Sequence, residues 1–238
     1  MKGPWWAICG TVNTSVKGDG EVHFHFLAED LSGAVLIDQV MQKIIAAYPD
    51  VTYYCKGYHG MGGFTKRNTV KETKEGKLLN DLATVLRGLN KSLQHVPAAI
   101  IVVMDNDARD TADFLAQLQA VAAQQMITVD HVFCIAVEEM EAWLLGDEQA
   151  LVTAYPSAKS AILHTYVQDS ICGTWEVLAD AIYPGGLSKF KKDCPSFIEI
   201  GMYKSKWARD IGQYMELDKN RSPSFQNFMH EILKRVSA

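Results

Sequence analysis

A run of seven apolar residues, Ala98 to Met104, constrains the fold of this chain more than any other feature. The run has the length of a strand and contains no polar position, as is typical of a parallel strand with helices on both faces of its sheet. Parallel neighbours need crossover connections, so helices must lie between the strands. The run therefore predicts an α/β fold built on a parallel sheet.

The segments around this run alternate as such a fold requires. Apolar and aromatic patterns predict strands at 21–28, 51–55, 98–104 and 131–137, with helical spacing of apolar residues between them. After about residue 147 the strand signals fade, and two late helices are expected at about 203–216 and 224–236. We therefore expect an α/β core over residues 1–147 and a helical C-terminal extension over residues 148–238 that packs on the core.

The composition indicates a protein that folds in water. An apolar fraction of 48% is sufficient for a large core, and the longest apolar runs are too short to span a bilayer. The N-terminus lacks the apolar stretch of a signal peptide. The five cysteines are scattered, with no C-x-x-C pair. We therefore expect reduced thiols, a cytoplasmic location and no membrane partner.

Acidic residues follow two of the predicted strands. Glu29 comes after the first strand, and Asp105 and Asp107 follow the third. Ligands of open α/β sheets bind at the carboxyl ends of the strands. Three carboxylates gathered there would repel one another unless a cation neutralised them. These residues therefore predict a site for Mg²⁺ or Mn²⁺, ions that prefer oxygen ligands.

The predicted roles of the acids differ. Asp105 and Asp107 would hold the metal, and Glu29 would share it or act as a general acid or base. Asp30 is either an additional ligand or a solvated turn residue. Glu139 and Glu141 have three interpretations: ligands of a second ion, partners of basic residues, or acids that complement a helix dipole.

Charge is unevenly distributed along the chain, whose net charge is -5. A basic segment precedes the acidic centre and contains Lys66, Arg67, Lys71, Lys74 and Lys77. Bases beside an acidic metal site suit a polyanionic substrate, so we predict that this segment contacts a nucleic-acid backbone. The alternative is ordinary solvated surface. No base-reading residue is visible, so no sequence preference is predicted.

The order strand-Glu-x-x-Ser/Gly-helix, followed by strand-Asp-x-Asp, resembles the Toprim domain of topoisomerases, primases and overcoming-lysogenization-defect nucleases. The resemblance implies a Toprim-like (Rossmann-like), mainly parallel sheet flanked by helices. It also implies that Glu29 is an acid/base or metal group and that Asp105 and Asp107 bind magnesium. The chain departs from the pattern at Glu29-Asp30, where the family often has Glu-Gly.

Three further stretches resemble a narrower bacterial family, domain of unknown function 4276. They are residues 139–147 (EMEAWLLGD), 204–212 (KSKWARDIG) and 224–228 (SFQNF). This resemblance spans nearly the whole chain from about residue 21. It implies a Toprim-like fold with a helical C-terminal part, and no activity, since the narrow family has none established.

The leading hypothesis is a Mg²⁺-dependent enzyme that cleaves phosphodiesters in nucleic acid, most simply a nuclease. A role in defence or mobile-element biology, with a separate ATPase or defence-system partner, is compatible with it. Two alternatives stay open. One is a metal-dependent Asp-x-Asp transferase or phosphatase that acts on a small molecule, and the other is a non-enzymatic binding or regulatory module with a relic metal site.

Overall fold

The computed structural model describes residues 21–60 and 77–236, and its centre is a parallel sheet. The four strands of this sheet lie in the order β2-β1-β3-β4 and are all paired in parallel. Their bounds are β1 Val22–Ala28, β2 Val51–Gly57, β3 Ala98–Asp105 and β4 Asp130–Ala136. The predicted α/β fold with a parallel sheet flanked by helices is confirmed.

Crossover helices cover both faces of the sheet. They are α1 (Leu31–Ala47), α2 (Leu78–Leu93) and α3 (Thr111–Gln124). The side chains of Ile101 and Val103 share a hydrophobic cluster with α1, whereas Ile100 and Val102 share another with α2 and α3. The apolar run that predicts β3 is therefore buried on both faces, as expected of a central parallel strand.

The order of the strands reverses between β1 and β3. The chain runs outward from β1 to β2 on one side and from β3 to β4 on the other. Open α/β sheets bind ligands at such a switch point, outside the carboxyl ends of the strands. Ala28 pairs with Val103, so the residues that follow β1 lie beside the last residues of β3.

After β4 the described chain contains helices and no further strand, which confirms the mostly helical C-terminal part. The helices are α4 Glu141–Leu145, α5 Glu148–Ala154, α6 Ser160–Thr165, α7 Thr174–Ile182, α8 Gly186–Asp193, α9 Phe197–Gly212 and α10 Pro223–Val236. α9 packs on α1, and α10 packs on β4. Buried side chains of these helices join the α1 face of the sheet in one hydrophobic cluster, and the division at residue 147 stays a prediction.

The helix α9 is longer than the sequence predicts. It begins at Phe197 instead of about residue 203, because Ser196 and Glu199 form a capping box.

Within residues 21–60 and 77–236, no helix combines the length and the apolar character needed to cross a membrane.

Candidate active site

Glu29 ties the carboxyl ends of β1 and β3 together. Its Oε2 atom accepts a hydrogen bond of 3.0 Å from the backbone N–H of Asp105. Asp105 is the last residue of β3 and is only 9% exposed. The two acids that the sequence assigns to different strands therefore meet at the β1/β3 switch point.

Both of these carboxyl groups are held away from their ordinary pKa. Burial, followed by the charges of Asp30 and Asp107, raises the pKa of Glu29 to about 8, against the lowering effect of the Asp105 N–H. Burial and the neighbouring Glu29 raise the pKa of Asp105 well above its usual range. Titratable groups with pKa values raised in this way are characteristic of functional sites.

Asp107 lies apart from Asp105, although only one residue separates them. Its backbone is left-handed (φ 49°), and its carboxylate accepts a hydrogen bond of 2.8 Å from Arg109. The side chain of Asp107 is 61% exposed. Asp105 therefore faces the interior and Asp107 the surface, while the charge of Asp107 still acts on Glu29.

A buried asparagine between the two aspartates, with no signal of its own in the sequence, organises this turn. Asn106 is 1% exposed, and its Oδ1 accepts a hydrogen bond of 2.6 Å from the backbone N–H of Glu138. Its Nδ2 donates to the backbone oxygen of Arg109 and to the hydroxyl of Thr111. The N–H of Asp107 donates to the backbone oxygen of Glu138, itself left-handed at φ 60°. Asn106 thus joins the ends of β3 and β4.

We expect the substitution Asn106→Ala to lower the free energy of unfolding by about 2–4 kcal/mol, because buried donors and acceptors lose their partners. Asn90→Ala is the matched control. Asn90 also takes part in three hydrogen bonds, to Thr128 and Val129, but lies near the surface, where water replaces them. Urea unfolding of both variants measures the difference, and equal losses would contradict the role given to Asn106.

A lysine from the C-terminal helices enters the acidic group. The Nζ atom of Lys204, on α9, lies 3.0 Å from Oε2 of Glu141 and 3.7 Å from Oε1 of Glu139. Glu141 is 1% exposed. Of the three interpretations of Glu139 and Glu141, the structure shows the contact with a basic residue.

Lys204 was missed as a site residue, although the sequence contains a signal for it. It lies three, four and seven residues before Trp207, Ala208 and Ile211, which are buried. Residues at this spacing share one face of a helix, so Lys204 is a charge on the core-facing side of α9. Such a charge must be paired, and here it is paired with the acids that follow β4.

Charge and burial act in opposite directions on this group. Burial alone would lower the pKa of Lys204, but the carboxylates of Glu141 and Glu139 raise it above its ordinary value. Burial raises the pKa of Glu139 to about 7 and raises that of Glu141, in each case against the lowering effect of Lys204. One ammonium group therefore does not fully compensate the buried acids.

Two other acids near the centre have structural contacts. Asp30 is the N-cap of α1, where its carboxylate accepts hydrogen bonds from Gly33 N–H and the Ser32 hydroxyl. Glu138 accepts hydrogen bonds from the backbone N–H groups of residues 172–174, before and at the start of α7. Burial would raise the pKa of Glu138, but the hydroxyl of Thr174 and these three N–H groups together hold it below its usual value.

The predicted basic segment is described only at Lys77, and Lys66, Arg67, Lys71 and Lys74 lie outside the described residues. Gly60 and Lys77, the described residues on either side of that gap, are close to Glu29. The N–H of Gly60 donates to the backbone oxygen of Glu29 (2.9 Å), and Leu78 N–H donates to the backbone oxygen of Gly60. Gly60 and the start of α2 therefore lie at the acidic end of the sheet.

The family model for a domain of unknown function, DUF4276, matches residues 36–233. The chain belongs to the DUF4276 family. The match includes Asp105, Asp107, Glu139, Glu141 and Lys204, whereas Glu29 precedes its first residue. No curated protein and no solved structure matches the chain. The broader Toprim-like assignment stays a prediction.

The acids of this DUF4276 centre offer a metal only oxygen ligands. Within the described ranges, no three His, Cys, Asp or Glu side chains already stand together as a group that could hold an ion. Glu29 is engaged with the Asp105 N–H, Asp107 with Arg109, and Glu141 with Lys204. Carboxylate oxygen is nevertheless the ligand that Mg²⁺ prefers, and the excess of buried acid over base favours an added cation.

The raised pKa of Glu29 predicts how stability depends on pH. Because the folded state binds this proton more tightly than the unfolded state, stability declines above about pH 4.5 and the loss is complete only above the folded pKa of about 8. Between pH 7 and pH 9 we expect a fall of about 1–2 kcal/mol in the free energy of unfolding without divalent ions, with Glu139 contributing to it.

Urea unfolding is followed in that window, where His23 and His25 are neutral because burial lowers the pKa of both. Burial raises the pKa of the Cys134 thiol, which therefore also contributes to the fall, so the carboxyl group of Glu29 is isolated by comparison with a variant. The variant Glu29→Gln should show a flatter dependence, and Mg²⁺ should reduce the fall in the wild type by binding the ionised form. A wild-type curve that coincides with the Glu29→Gln curve would contradict the assignment.

Proposed function

We propose that this DUF4276 protein is a Mg²⁺- or Mn²⁺-dependent enzyme that cleaves phosphodiester bonds in nucleic acid, as a nuclease does. One observation carries the proposal: the 3.0 Å hydrogen bond between Glu29 and the Asp105 N–H at the β1/β3 switch point. It holds two carboxyl groups with raised pKa values where open α/β sheets bind their ligands.

The charge balance supports a cation at this position. Glu29, Asp105, Glu139 and Glu141 are withdrawn from water to different extents, and the ammonium of Lys204 is a positive charge that acts on all four. Asp105 and Glu29 are suited to hold a divalent ion, with Asp107 as an outer ligand. When bound, such an ion would polarise a phosphoryl oxygen and make a bound water more acidic.

Glu29 has the properties of a general acid or base. In the metal-free protein a pKa of about 8 gives Glu29 both protonation states near neutral pH, so if Asp105 and Asp107 hold the ion instead, Glu29 suits proton transfer to or from a reacting water or leaving oxygen. Its hydrogen bond from the Asp105 N–H uses Oε2, so this bond fixes the orientation of the carboxyl group.

Arg109 provides a link between substrate and metal ligand. Its side chain is 44% exposed, and its guanidinium is paired with Asp107. Arginine binds phosphate through geometry that matches its planar group. A phosphate that binds Arg109 would replace Asp107 as the partner of the guanidinium. The carboxylate of Asp107 would then be released toward Glu29 and Asp105, so that the substrate and the metal would strengthen each other's binding.

A polyanionic substrate is favoured over a small one by the basic residues that the sequence carries between Gly60 and Leu78. Gly60 lies at the same sheet end as Glu29, and the N–H of Leu78, the residue after Lys77, donates to the backbone oxygen of Gly60. Bases supplied from this edge would neutralise backbone phosphates beside the acidic centre. The described cysteines Cys134, Cys172 and Cys194 are free thiols, which supports a reducing, cytoplasmic location. A separate ATPase or defence-system partner stays a prediction.

The proposal is tested with purified full-length protein on double-stranded DNA, single-stranded DNA, RNA and the small diester bis(p-nitrophenyl) phosphate. Each substrate is incubated with Mg²⁺, Mn²⁺ or EDTA. Metal-dependent cleavage of nucleic acid supports the proposal. Hydrolysis of the small diester alone indicates the phosphatase or transferase alternative, and no hydrolysis combined with no metal binding indicates a relic site.

A further inference from the structure

We propose that Lys204 serves as a built-in second cation: its ammonium takes the place between Glu139 and Glu141 where a second divalent ion would otherwise bind. The centre would then hold a single divalent ion, at Glu29 and Asp105. The inference that one ion binds rests on the proposed function, whereas the inference that Lys204 is the cation beside Glu139 and Glu141 rests on its contacts alone. Because Lys204 acts through these two acids, it is a positioning residue.

The contacts of Glu141 carry the first step. Its Oε2 atom is buried, and the partner that the structure gives it is the ammonium of Lys204. The ion pair of 3.0 Å with Lys204 is what compensates this oxygen for its burial. A buried carboxylate oxygen whose close partner is a positive charge is placed as the ligand of a cation, and the cation present is the ammonium of Lys204.

The second step is that Lys204 cannot easily leave. Its side chain is 14% exposed and rises from the face of α9 that also buries Trp207 and Ile211. α9 lies tightly on α1, since a Cβ atom on Gly212 would come within 3.0 Å of the Cβ of Gln39. α1 in turn begins directly after Glu29 and Asp30. The ammonium is thereby fixed relative to the carboxyl ends of β1 and β3.

The third step concerns the acids on the other side. Glu139 is bound at both oxygens, by Lys204 at 3.7 Å and by the N–H of Trp175 at 3.1 Å. Glu139 and Glu141 are therefore already engaged, and a divalent ion beside the ammonium would be repelled by it. Removing the ammonium would leave Oε1 of Glu139 and Oε2 of Glu141 without that partner, as oxygen ligands for a further ion.

The test is the number of Mn²⁺ ions bound per chain, measured by equilibrium dialysis on the full-length protein without substrate. We expect one ion for the wild type and two for Lys204→Met, with Lys204→Arg remaining at one because it keeps the positive charge. Lys206→Met is the matched control, since Lys206 lies on the same helix but pairs with Asp210 at the surface. It should remain at one ion.

Each outcome decides between the two proposals. Two ions on the wild type, or one ion on Lys204→Met, would overturn the role of Lys204. No ion on the wild type but one on Lys204→Met would support that role and remove the proposed metal-dependent function. If Lys204→Met does not fold, Glu139→Gln decides: a count of one ion before and after the change supports the inference, and a fall from two to one overturns it.

Discussion

The substitution Asp105→Asn is expected to lower metal-dependent cleavage by about 10³-fold or more while leaving the protein at least as stable as the wild type. Loss of a ligand to the ion removes about 4 kcal/mol of transition-state stabilisation. Asparagine has nearly the same shape as aspartate but no charge. Because burial and Glu29 raise the pKa of Asp105, the ionised carboxylate is unfavourable in the metal-free fold, and its removal relieves repulsion.

Two measurements on the same variant separate function from stability. The value of kcat/KM with Mg²⁺ reports the chemistry, and urea unfolding at pH 8 in EDTA reports stability. Asp113→Asn is the control, because Asp113 is an exposed acid in the first turn of α3 and should change neither value. An active Asp105→Asn enzyme would remove the assignment, and an inactive variant of much lower stability would indicate a structural role.

The substitution Lys204→Met is expected to lower the free energy of unfolding by about 3–5 kcal/mol at pH 8, the usual cost of removing one partner from a buried ion pair. It leaves the buried carboxylate of Glu141 without its compensating charge. The loss should shrink toward pH 5. Carboxyl groups whose folded pKa is raised take up protons there, and the uncompensated charge disappears.

Lys206→Met is the control for this prediction as well. Its ion pair with Asp210 is exposed and four residues away on the same helix, so its removal should cost about 0–1 kcal/mol. Urea unfolding of both variants at pH 5 and pH 8 gives the comparison. Equal losses for the two lysines, or a Lys204→Met loss that does not depend on pH, would speak against a buried charge centre.

The positions at which β1 and β3 end could be predicted from the sequence, because a few residues determine them. The apolar run 98–104 can be buried only as a central strand, and parallel strands place their carboxyl ends at one edge. Glu29 and Asp105 are the residues that directly follow or end such strands, so their meeting follows from the topology. No tertiary detail beyond the order of the strands is needed for it.

The surroundings of these acids could not be predicted in the same way. Asp107 faces the surface because Asn106 binds the end of β4 and turns the chain through a left-handed residue. Lys204 is far from Glu141 in sequence, and their contact depends on how α9 packs against α1. The pattern of α9 shows that Lys204 shares a face with buried residues, but not which acids it meets.

The most direct test of the central claim is a calorimetric titration with Mg²⁺ and Mn²⁺ of the wild type and the double variant Asp105→Ala/Asp107→Ala, in two buffers of different ionisation enthalpy at pH 7. The proposal predicts micromolar to millimolar binding by the wild type, with release of protons because the ion displaces them from Glu29, and no binding by the double variant. Equal binding by both proteins, or no binding by the wild type even with a non-cleavable oligonucleotide present, would contradict it.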